Sequence, residues 1–425
     1  MDSSSMATSD PTVPADVAEA GADSAPTDDW CAHHFDYASH AMGSYIHDAL
    51  ARMRAQCPVA HSDQYGGHWV VTRYEDVLRV AQDWKTFSSA RGVGLTDTRV
   101  VVPPIPEWSD PPLQRIYKRL INAYFTPAVV SRYEQPVRQL VNRLIDTFIE
   151  KGRCEFMAEF ARPFPGLAFF DQVLHAPPDQ LVEINEMSTA ASVPKNPKGR
   201  EAWEGMFRWI TEFVAQRRLE APRGDVVDAI LAADIDGRPI TDAEIYGLIQ
   251  LLILGGLDTT AGALGQFMIR FIREPEIPAL LRSRPEVIPD AVEELLRLDG
   301  PFVFVGRAVT TDTEVGGQAM KAGERVLISW ASANRDEAEF PDPSKFDPSR
   351  RSNRHLAFGA GPHRCAGSNF ARMNLRIALE ELLTRLHDIR LEDGAEPIEF
   401  HSAFNRAPLR IPITFTPQAR SEFVT

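Results

Sequence analysis

Ten residues, 358–367, constrain this chain more than any other stretch, because they hold one cysteine on a turn rich in glycine and proline. The stretch reads Phe-Gly-Ala-Gly-Pro-His-Arg-Cys-Ala-Gly. Apolar residues at 370, 373 and 377 follow at helical spacing, which places Cys365 directly before a helix N-terminus. Backbone N–H groups and the helix dipole favour a thiolate there, so we expect the pKa of the Cys365 thiol to be lowered.

The cysteine alone is compatible with several kinds of site. A lone cysteine is most often a buried structural side chain. A zinc site built from His355, His363 and Cys365 lacks a fourth ligand in this part of the sequence. A thiolate on a glycine loop, with a histidine and an arginine beside it, is a suitable anionic ligand for heme iron.

The spacing F-G-x-G-x-H-x-C-x-G in residues 358–367 resembles the heme-binding loop of the cytochrome P450 family. The resemblance implies a mostly α-helical fold with a small β portion, and heme b as the cofactor. It implies that Cys365 is the metal ligand and that His363 is a hydrogen-bond partner of a heme propionate. Phe358 and Gly359 belong, by the same resemblance, to the loop that contacts the cofactor.

A second stretch predicts a long buried helix with an irregular centre. Thr241 and Glu244 have the spacing of a capping box, and no firm stop signal follows before Pro275, so the helix is expected to run for about 32 residues. Residues 248–254 are apolar on nearly every side, which indicates burial. Two glycines at 255 and 256, followed by an acid and an alcohol, predict a kink inside that helix.

The kinked stretch resembles the distal helix of the P450 family. The resemblance implies that Asp258 and Thr259 form the acid–alcohol pair that delivers protons to bound oxygen, and that Gly256 lies beside the heme. A kink that serves packing alone is the alternative.

Residues 110–127 resemble the family's C helix. Asp110 and the two prolines after it predict a helix start, with the aspartate as cap. Where the family commonly has histidine and arginine on the heme propionates, this chain has Gln114 and Lys118. A solvated basic helix face is the alternative.

The remaining site residues follow from the same resemblance. Glu294 and Arg297 resemble a structural E-x-x-R pair. Phe302, Val303 and Phe304 resemble a strand that meets the substrate, and Arg307 resembles the residue that binds a propionate. Phe404 belongs to the last substrate-facing turn, and helices within 167–220 are expected to cover the pocket.

The acidic composition of the chain indicates which kinds of macromolecule are disfavoured as partners. The net charge is −14 and the pI is near 5.3, which disfavours nucleic acid or an anionic membrane as a partner. We expect residues 1–30 to be a disordered tail and residues 31–425 to form a single heme-thiolate monooxygenase domain. No run of 18 apolar residues occurs, so no transmembrane helix is expected. Four cysteines without zinc spacing fit a reducing cytoplasm, and the P450 resemblance implies a soluble, bacterial-type, monomeric enzyme.

The resemblance implies a monooxygenase that uses O2 on a small hydrophobic substrate. Its electrons are expected to come from an acidic [2Fe-2S] ferredoxin and an NAD(P)H reductase. No acid occurs between Asp347 and Glu380, and basic residues in and near this interval predict a docking patch. Those residues are Arg350, Arg351, Arg354, Arg364, Arg372 and Arg376, with Arg115, Lys118 and Arg119. A peroxygenase or isomerase without a redox partner and a non-catalytic heme sensor are the alternatives.

Overall fold

A computed structural model describes residues 27–38, 42–95, 100–192, 196–400 and 405–421. Most of the predicted tail and Phe404 lie outside these ranges. The α-helices are α1 (Asp28–His33), α2 (Met42–Gln56), α3 (Tyr74–Gln82), α4 (Leu113–Asn122), α5 (Pro127–Val130), α6 (Glu134–Asp146), α7 (Pro163–Phe169), α8 (Leu181–Ser192), α9 (Gly199–Leu219), α10 (Val226–Leu231), α11 (Asp242–Gly256), α12 (Asp258–Arg273), α13 (Glu276–Ser283), α14 (Ile288–Asp299), α15 (Trp330–Ala333) and α16 (Ser368–Arg385).

The strands form three small sheets, which with the helices confirm the predicted mostly α fold with a small β portion. They are β1 (Val59–Ser62), β2 (His68–Val71), β3 (Phe87–Ser88), β4 (Arg153–Glu155), β5 (Phe304–Val309), β6 (Thr313–Val315), β7 (Gln318–Met320), β8 (Arg325–Ser329), β9 (His387–Leu391) and β10 (Pro412–Thr416). The largest sheet has the order β1-β2-β8-β5-β3, in which β2 and β8 are parallel and the other pairs antiparallel.

Helix α1 starts at Asp28, so it includes the last three residues of the predicted tail. Thr27 caps this helix by accepting a hydrogen bond from the Trp30 N–H. The Trp30 ring also lies 5.5 Å from the ring of Phe35, which is fully buried. These contacts fix a helix that composition alone did not indicate.

The long central helix is divided into α11 and α12 by a break at Leu257, where φ is −96° and ψ is −70°. Its start has the predicted capping box between Thr241 and Glu244. A Cβ at Gly256 would lie 2.9 Å from the Phe169 ring of α7, so the close approach of these helices requires glycine there. The stretch Asp242–Arg273 is long and apolar enough to cross a membrane by length and composition. However, 67% of its most apolar window is buried inside the protein, as in a core helix.

The segment before the cysteine loop is held by a buried ion pair in α14. Arg297 donates two 2.8 Å hydrogen bonds to the Glu294 carboxylate, and both side chains are fully buried. Arg297 also donates to the carbonyls of Asn334 and Pro343, and Arg350 donates to Glu294. The pair therefore ties α14 to residues 334–350, which lead into the cysteine loop.

The start of α4 differs from the sequence expectation. The helix begins at Leu113 with Pro112 as its N-cap, and Asp110 does not cap it. The Asp110 carboxylate instead accepts hydrogen bonds from the Ser88 hydroxyl and from the Ser89 N–H. The sequence predicted that the Asp110 carboxylate caps α4. In the structure it anchors the loop after β3 instead, because the Ser88 hydroxyl and the Ser89 N–H lie within hydrogen-bond distance.

Candidate active site

The cysteine loop is a short turn whose shape depends on glycine. Gly359 and Gly361 have φ values of +68° and +67°, in the left-handed region. A Cβ at Gly361 would lie 2.4 Å from the Ala81 carbonyl oxygen of α3. The Cys365 N–H donates to the Phe358 carbonyl at 2.8 Å, which closes the loop just before α16. The loop is therefore fixed between α3 and α16, with Cys365 at its end.

The Cys365 thiol is free and opens into an internal cavity of about 620 Å³. Burial raises its pKa, although the Gly367 N–H and the charges of Lys118, Arg364 and Arg372 act in the opposite direction. The expected lowering of the pKa is therefore wrong. The helix N-terminus and the basic side chains are present, but the protein atoms packed around the thiol outweigh them.

The cavity brings together most of the residues singled out from sequence. Its wall includes the loop residues Phe358, Gly359, His363 and Cys365, and the helix-break residues Gly256, Asp258 and Thr259. It also includes Gln114, Lys118, Phe302 and Arg307. Four elements that are distant in sequence thus converge on one enclosed space.

Two predicted substrate residues do not line this cavity. Val303 and Phe304 are fully buried in a separate core cluster formed with the N-terminal helices and β2. The Phe304 ring packs 5.5 Å from the Phe35 ring, edge to face. The physical reason is that every residue of β5 is buried and so is Val303 just before it, so the sequence does not indicate which of these residues face the cavity. Val305 lines the cavity instead.

Several polar atoms on the cavity wall lack partners within the described residues. His363 Nε2 and Gln114 Oε1 are both buried and unpaired. The Gln114 amide donates to the Pro362 carbonyl at 2.7 Å, and Lys118 Nζ donates to the carbonyls of Pro362 and Arg364 at 2.6 and 2.5 Å. A buried polar atom without a partner is costly, so this wall suits a ligand with polar groups. Together with the thiol, it fits a heme whose propionates approach these residues.

Burial also alters the charges of this wall. The pKa of His363 is lowered to about 3, first by burial and then by the charges of Arg307 and Lys118, so the ring is neutral. Burial lowers the pKa of Arg307 to about 10, against the opposing charges of Glu107 and Asp110, so the guanidinium remains charged at neutral pH. This part of the wall therefore offers the neutral ring of His363 and the positive charges of Arg307 and Lys118 to an anionic ligand.

Asp258 and Thr259 lie at the helix break, on the cavity wall. The Thr259 hydroxyl donates to the Gly255 carbonyl at 3.0 Å, one turn earlier. The Asp258 carboxylate accepts hydrogen bonds from Thr189 at 2.9 Å and from Ser188 at 3.3 Å, both on α8. Burial raises the pKa of Asp258 to about 6, although these two hydroxyls act to lower it. The acid can therefore hold or release a proton near neutral pH.

Sequence reasoning missed three residues of this site. Ser188 and Thr189 reach Asp258 only because α8 packs on α12, and no motif marks them. Glu107 lines the cavity, and its only signal in the sequence was its place in the long loop before α4.

Ion pairs occupy four of the six arginines expected to form a docking patch in 350–376. Arg372 pairs with Glu293, and Arg376 pairs with Glu134 and Glu380. Arg350 pairs with Glu294 and Arg354 with Glu339. These arginines belong to the structural ion pairs of the described residues, so the predicted patch is smaller than the sequence suggested.

Comparison with known proteins agrees with this geometry. The family model described as cytochrome P450 matches residues 169–415. The nocardicin C N-oxygenase of Nocardia uniformis subsp. tsuyamanensis is 35% identical over 87% of this chain and 96% of its own. The steroid C26-monooxygenase of Mycobacterium tuberculosis strain CDC 1551 / Oshkosh is 32% identical over 86% of this chain and 99% of its own.

A solved structure extends the likeness to the fold. Cytochrome P450 CYP109Q5 from Chondromyces apiculatus superimposes with a TM-score of 0.80 at 30% identity, over 92% of this chain and 100% of its own. Cytochromes P450 bind heme b through a cysteine thiolate and use it for oxygen chemistry. The chain belongs to the cytochrome P450 family and is a heme-dependent monooxygenase.

Proposed function

We propose that Cys365 is the thiolate ligand of the heme iron and that the chain oxidises a small hydrophobic substrate with O2. One observation carries this proposal: the Cys365 thiol and the Asp258–Thr259 pair open onto the same cavity from two different elements. Heme b supplies the iron at which O2 is activated when it is bound there, and thiolate ligation favours O–O cleavage. One oxygen atom passes to the substrate and the other leaves as water, so two protons and two electrons must be delivered.

Four polar residues hold the heme propionates in this proposal. Arg307 and Lys118 supply positive charge, while His363 and Gln114 supply hydrogen bonds. The unpartnered His363 Nε2 supports this assignment, because a propionate oxygen can accept a hydrogen bond from this ring nitrogen when it carries the proton, and a buried polar atom is costly unless a ligand satisfies it. The ammonium group of Lys118 cannot form the two parallel hydrogen bonds that an arginine guanidinium forms with a carboxylate. Lys118 therefore contributes mainly its positive charge to propionate binding.

Small and apolar residues shape the space for the macrocycle. Phe358 and Gly359 of the cysteine loop and Gly256 of the helix break line the cavity. At Gly359 the left-handed backbone favours glycine.

Proton delivery is assigned to Asp258 and Thr259. A carboxyl with a pKa of about 6 can exchange protons at neutral pH, and the hydroxyls of Ser188 and Thr189 hold it in place. The Thr259 hydroxyl can leave the Gly255 carbonyl and donate into the cavity by a rotation about χ1. Asp258 thus stores the proton, and Thr259 positions it.

The substrate is proposed to be a small molecule that is mainly apolar. Phe302, Val305, Phe169 and Trp203 line the cavity and are hydrophobic. Phe302 pairs with Asn405 in an isolated β-bridge, which brings the C-terminal turn to the same wall. Phe404, next to Asn405 in sequence, is proposed as a further contact. The name of the mycobacterial relative gives a steroid as its substrate, which is consistent with an apolar pocket.

The electron donor is proposed to be an acidic [2Fe-2S] ferredoxin that an NAD(P)H reductase serves. Arg364 is exposed beside Cys365, and Arg115 and Arg119 are exposed on α4, which contacts the loop through Lys118. These three arginines, the loop patch, have no ion pair among the described residues. The net charge of this chain is −14, so most of its surface would repel an acidic protein. Local positive charge near the thiolate would steer such a protein to this side of the molecule.

We also propose that residues 31–425 form one catalytic domain and that the enzyme acts as a cytoplasmic monomer. An acidic pI near 5.3 and four cysteines without metal spacing are the features that support these assignments.

Reconstitution with ferredoxin, reductase and NADPH tests the function. With a substrate found by a heme-absorbance screen, we expect consumption of O2 and one labelled oxygen atom from labelled O2 in the product. Product from peroxide alone, with no dependence on the reductase, would favour a peroxygenase. Binding without turnover under any of these conditions would favour a sensor and overturn the proposal.

A further inference from the structure

Glu107 is a carboxylate on the cavity wall that the proposed chemistry does not use. It lies between β3 and α4, in the segment 104–109, which several hydrogen bonds hold. The Trp108 N–H donates to the Pro104 carbonyl at 3.0 Å, and the Ser109 hydroxyl donates to the Pro106 carbonyl at 2.8 Å. The Ile105 N–H donates to Gly247 of α11 at 3.2 Å. The backbone that carries Glu107 is therefore fixed before any ligand binds.

The Glu107 carboxyl lacks partners of its own. Within the described residues no donor hydrogen-bonds to it, and its side chain opens onto the cavity rather than onto bulk solvent. Burial raises its pKa to about 7, with the charge of Arg307 acting in the opposite direction. A carboxyl enclosed in this way is costly to ionise unless a cation or donors approach it.

Arg307 cannot satisfy this carboxyl and a heme propionate equally well. Its guanidinium already donates to the Gly306 carbonyl at 2.7 Å, and we have assigned its remaining donors to a propionate. With heme bound, the charge of Arg307 would then serve a propionate, and Glu107 would need another cation to offset its own charge. The inference rests in this respect on the proposed function.

We propose that Glu107 binds a basic nitrogen carried by an otherwise apolar substrate. A cationic nitrogen supplies the positive charge that the carboxylate lacks, and the apolar wall takes the rest of the molecule. Trp108 and Trp203 also line the cavity, and the face of an indole ring attracts a cation. Glu107 is thus a specificity-determining residue that selects amines over neutral molecules of the same shape.

Other ionisable groups on the wall contribute to any pH dependence, so the test must isolate Glu107. Those groups are Tyr37, Lys118, Arg200, Asp258, Arg307, His363, Arg364 and Cys365. Glu107→Gln keeps the shape of the side chain and removes its charge. Glu204→Gln, on the exposed face of α9 and outside the cavity wall, removes the same charge near Arg200.

The probes are two molecules of one shape: an octyl chain that ends in trimethylammonium, and the hydrocarbon with carbon in place of the nitrogen. A quaternary nitrogen cannot ligate iron, so both report through the same heme absorbance shift. We expect Glu107→Gln to weaken binding of the ammonium probe about tenfold or more and to leave the hydrocarbon within about twofold. Glu204→Gln should leave both dissociation constants within about twofold of the wild type.

The pH profile supplies a second readout. Ammonium affinity of the wild type should rise with pH, because burial raises the pKa of the Glu107 carboxyl and the carboxylate form binds the cation. The profile of Glu107→Gln should lack that rise. Equal weakening of both probes, or no weakening of the ammonium probe, would overturn the inference. A heme-loaded protein that binds the hydrocarbon would still support the proposed function in that case, whereas a chain without a heme site fails both.

Discussion

The Asp258 carboxylate accepts a hydrogen bond from the Thr189 hydroxyl at 2.9 Å, which joins the break between α11 and α12 to α8. Ser188, the preceding residue of α8, donates to the second carboxylate oxygen at 3.3 Å. The proposed proton donor therefore has hydrogen-bond partners on a helix that covers the cavity. Any movement of α8 away from α12 would remove those partners.

Replacing Thr259 separates proton delivery from heme binding. Thr259→Ala should retain heme and substrate binding, while the ratio of released hydrogen peroxide to product rises several-fold. The reason is that the variant lacks the hydroxyl that positions a proton at the cavity. Peroxide and product are measured in the same reaction.

Thr211→Ala is the matched control for this change. Its hydroxyl also donates to the carbonyl four residues earlier, that of Phe207, but it lies exposed on α9. The control should leave the ratio unchanged. An unchanged ratio in Thr259→Ala as well would remove this residue from the proposed proton path.

Asp258 predicts a pH dependence of stability. Its pKa is about 6 in the folded protein, whereas the ordinary value for an aspartate exposed to water is 3.8, so the folded state binds more protons between these values. The wild type therefore loses stability as the pH rises through that interval. Asp258→Asn has no such loss. The free energy of unfolding of this variant, relative to that of the wild type, should therefore be about 2 kcal/mol higher at pH 7.5 than at pH 4.5.

Urea unfolding at several pH values measures this difference. Asp179→Asn, which changes an exposed acid before α8, should follow the wild type throughout. A difference between Asp258→Asn and the wild type that stays constant with pH would contradict the raised pKa.

The buried pair in α14 should be far more important for stability than a surface pair of the same charges. Arg297→Met leaves the Glu294 carboxylate buried without its main cation, which should cost about 3–5 kcal/mol and reduce heme content. Arg354→Ala breaks a pair with Glu339 whose arginine is 69% exposed, and it should cost less than about 1 kcal/mol. Similar costs for the two variants, from denaturant unfolding, would refute this ranking.

The loop patch predicts how electron transfer depends on salt. Arg364→Ala should slow reduction by ferredoxin at low salt, and the difference from wild type should shrink as salt screens the charges, with a Debye length of roughly 10 Å at 0.1 M. Stopped-flow reduction measures both rates, and Arg208→Ala on the exposed face of α9 is the control. Reduction that responds neither to salt nor to Arg364 would eliminate this docking surface.

Local sequence was sufficient where a feature depends on neighbouring residues. The turn at Gly359 and Gly361 and the capping box at Thr241 are encoded within a few positions, and all are present. The break at Leu257 was visible because two glycines and an aspartate interrupt an apolar helix.

Contacts between distant segments were not readable in the same way. Arg372 was predicted to belong to the docking patch because no acid lies near it in the sequence. It pairs with Glu293, which is 79 positions away. The burial of Val303 and Phe304 depends on packing against the N-terminal helices. Glu107 lies in a loop without a helical or strand-like pattern, so the sequence does not indicate where its side chain lies. Its place on the cavity wall depends on how that loop packs against α11.

The carbon monoxide complex of the reduced enzyme tests the central claim, that Cys365 is the heme ligand, most directly. The wild type and Cys57→Ser should both give the long-wavelength absorption band of a thiolate-ligated heme, because Cys57 is not on the cavity wall. Cys365→Ser should lose that band while the far-UV circular dichroism stays the same. Retention of the band in Cys365→Ser would contradict the assignment of the ligand, and with it the account of the site.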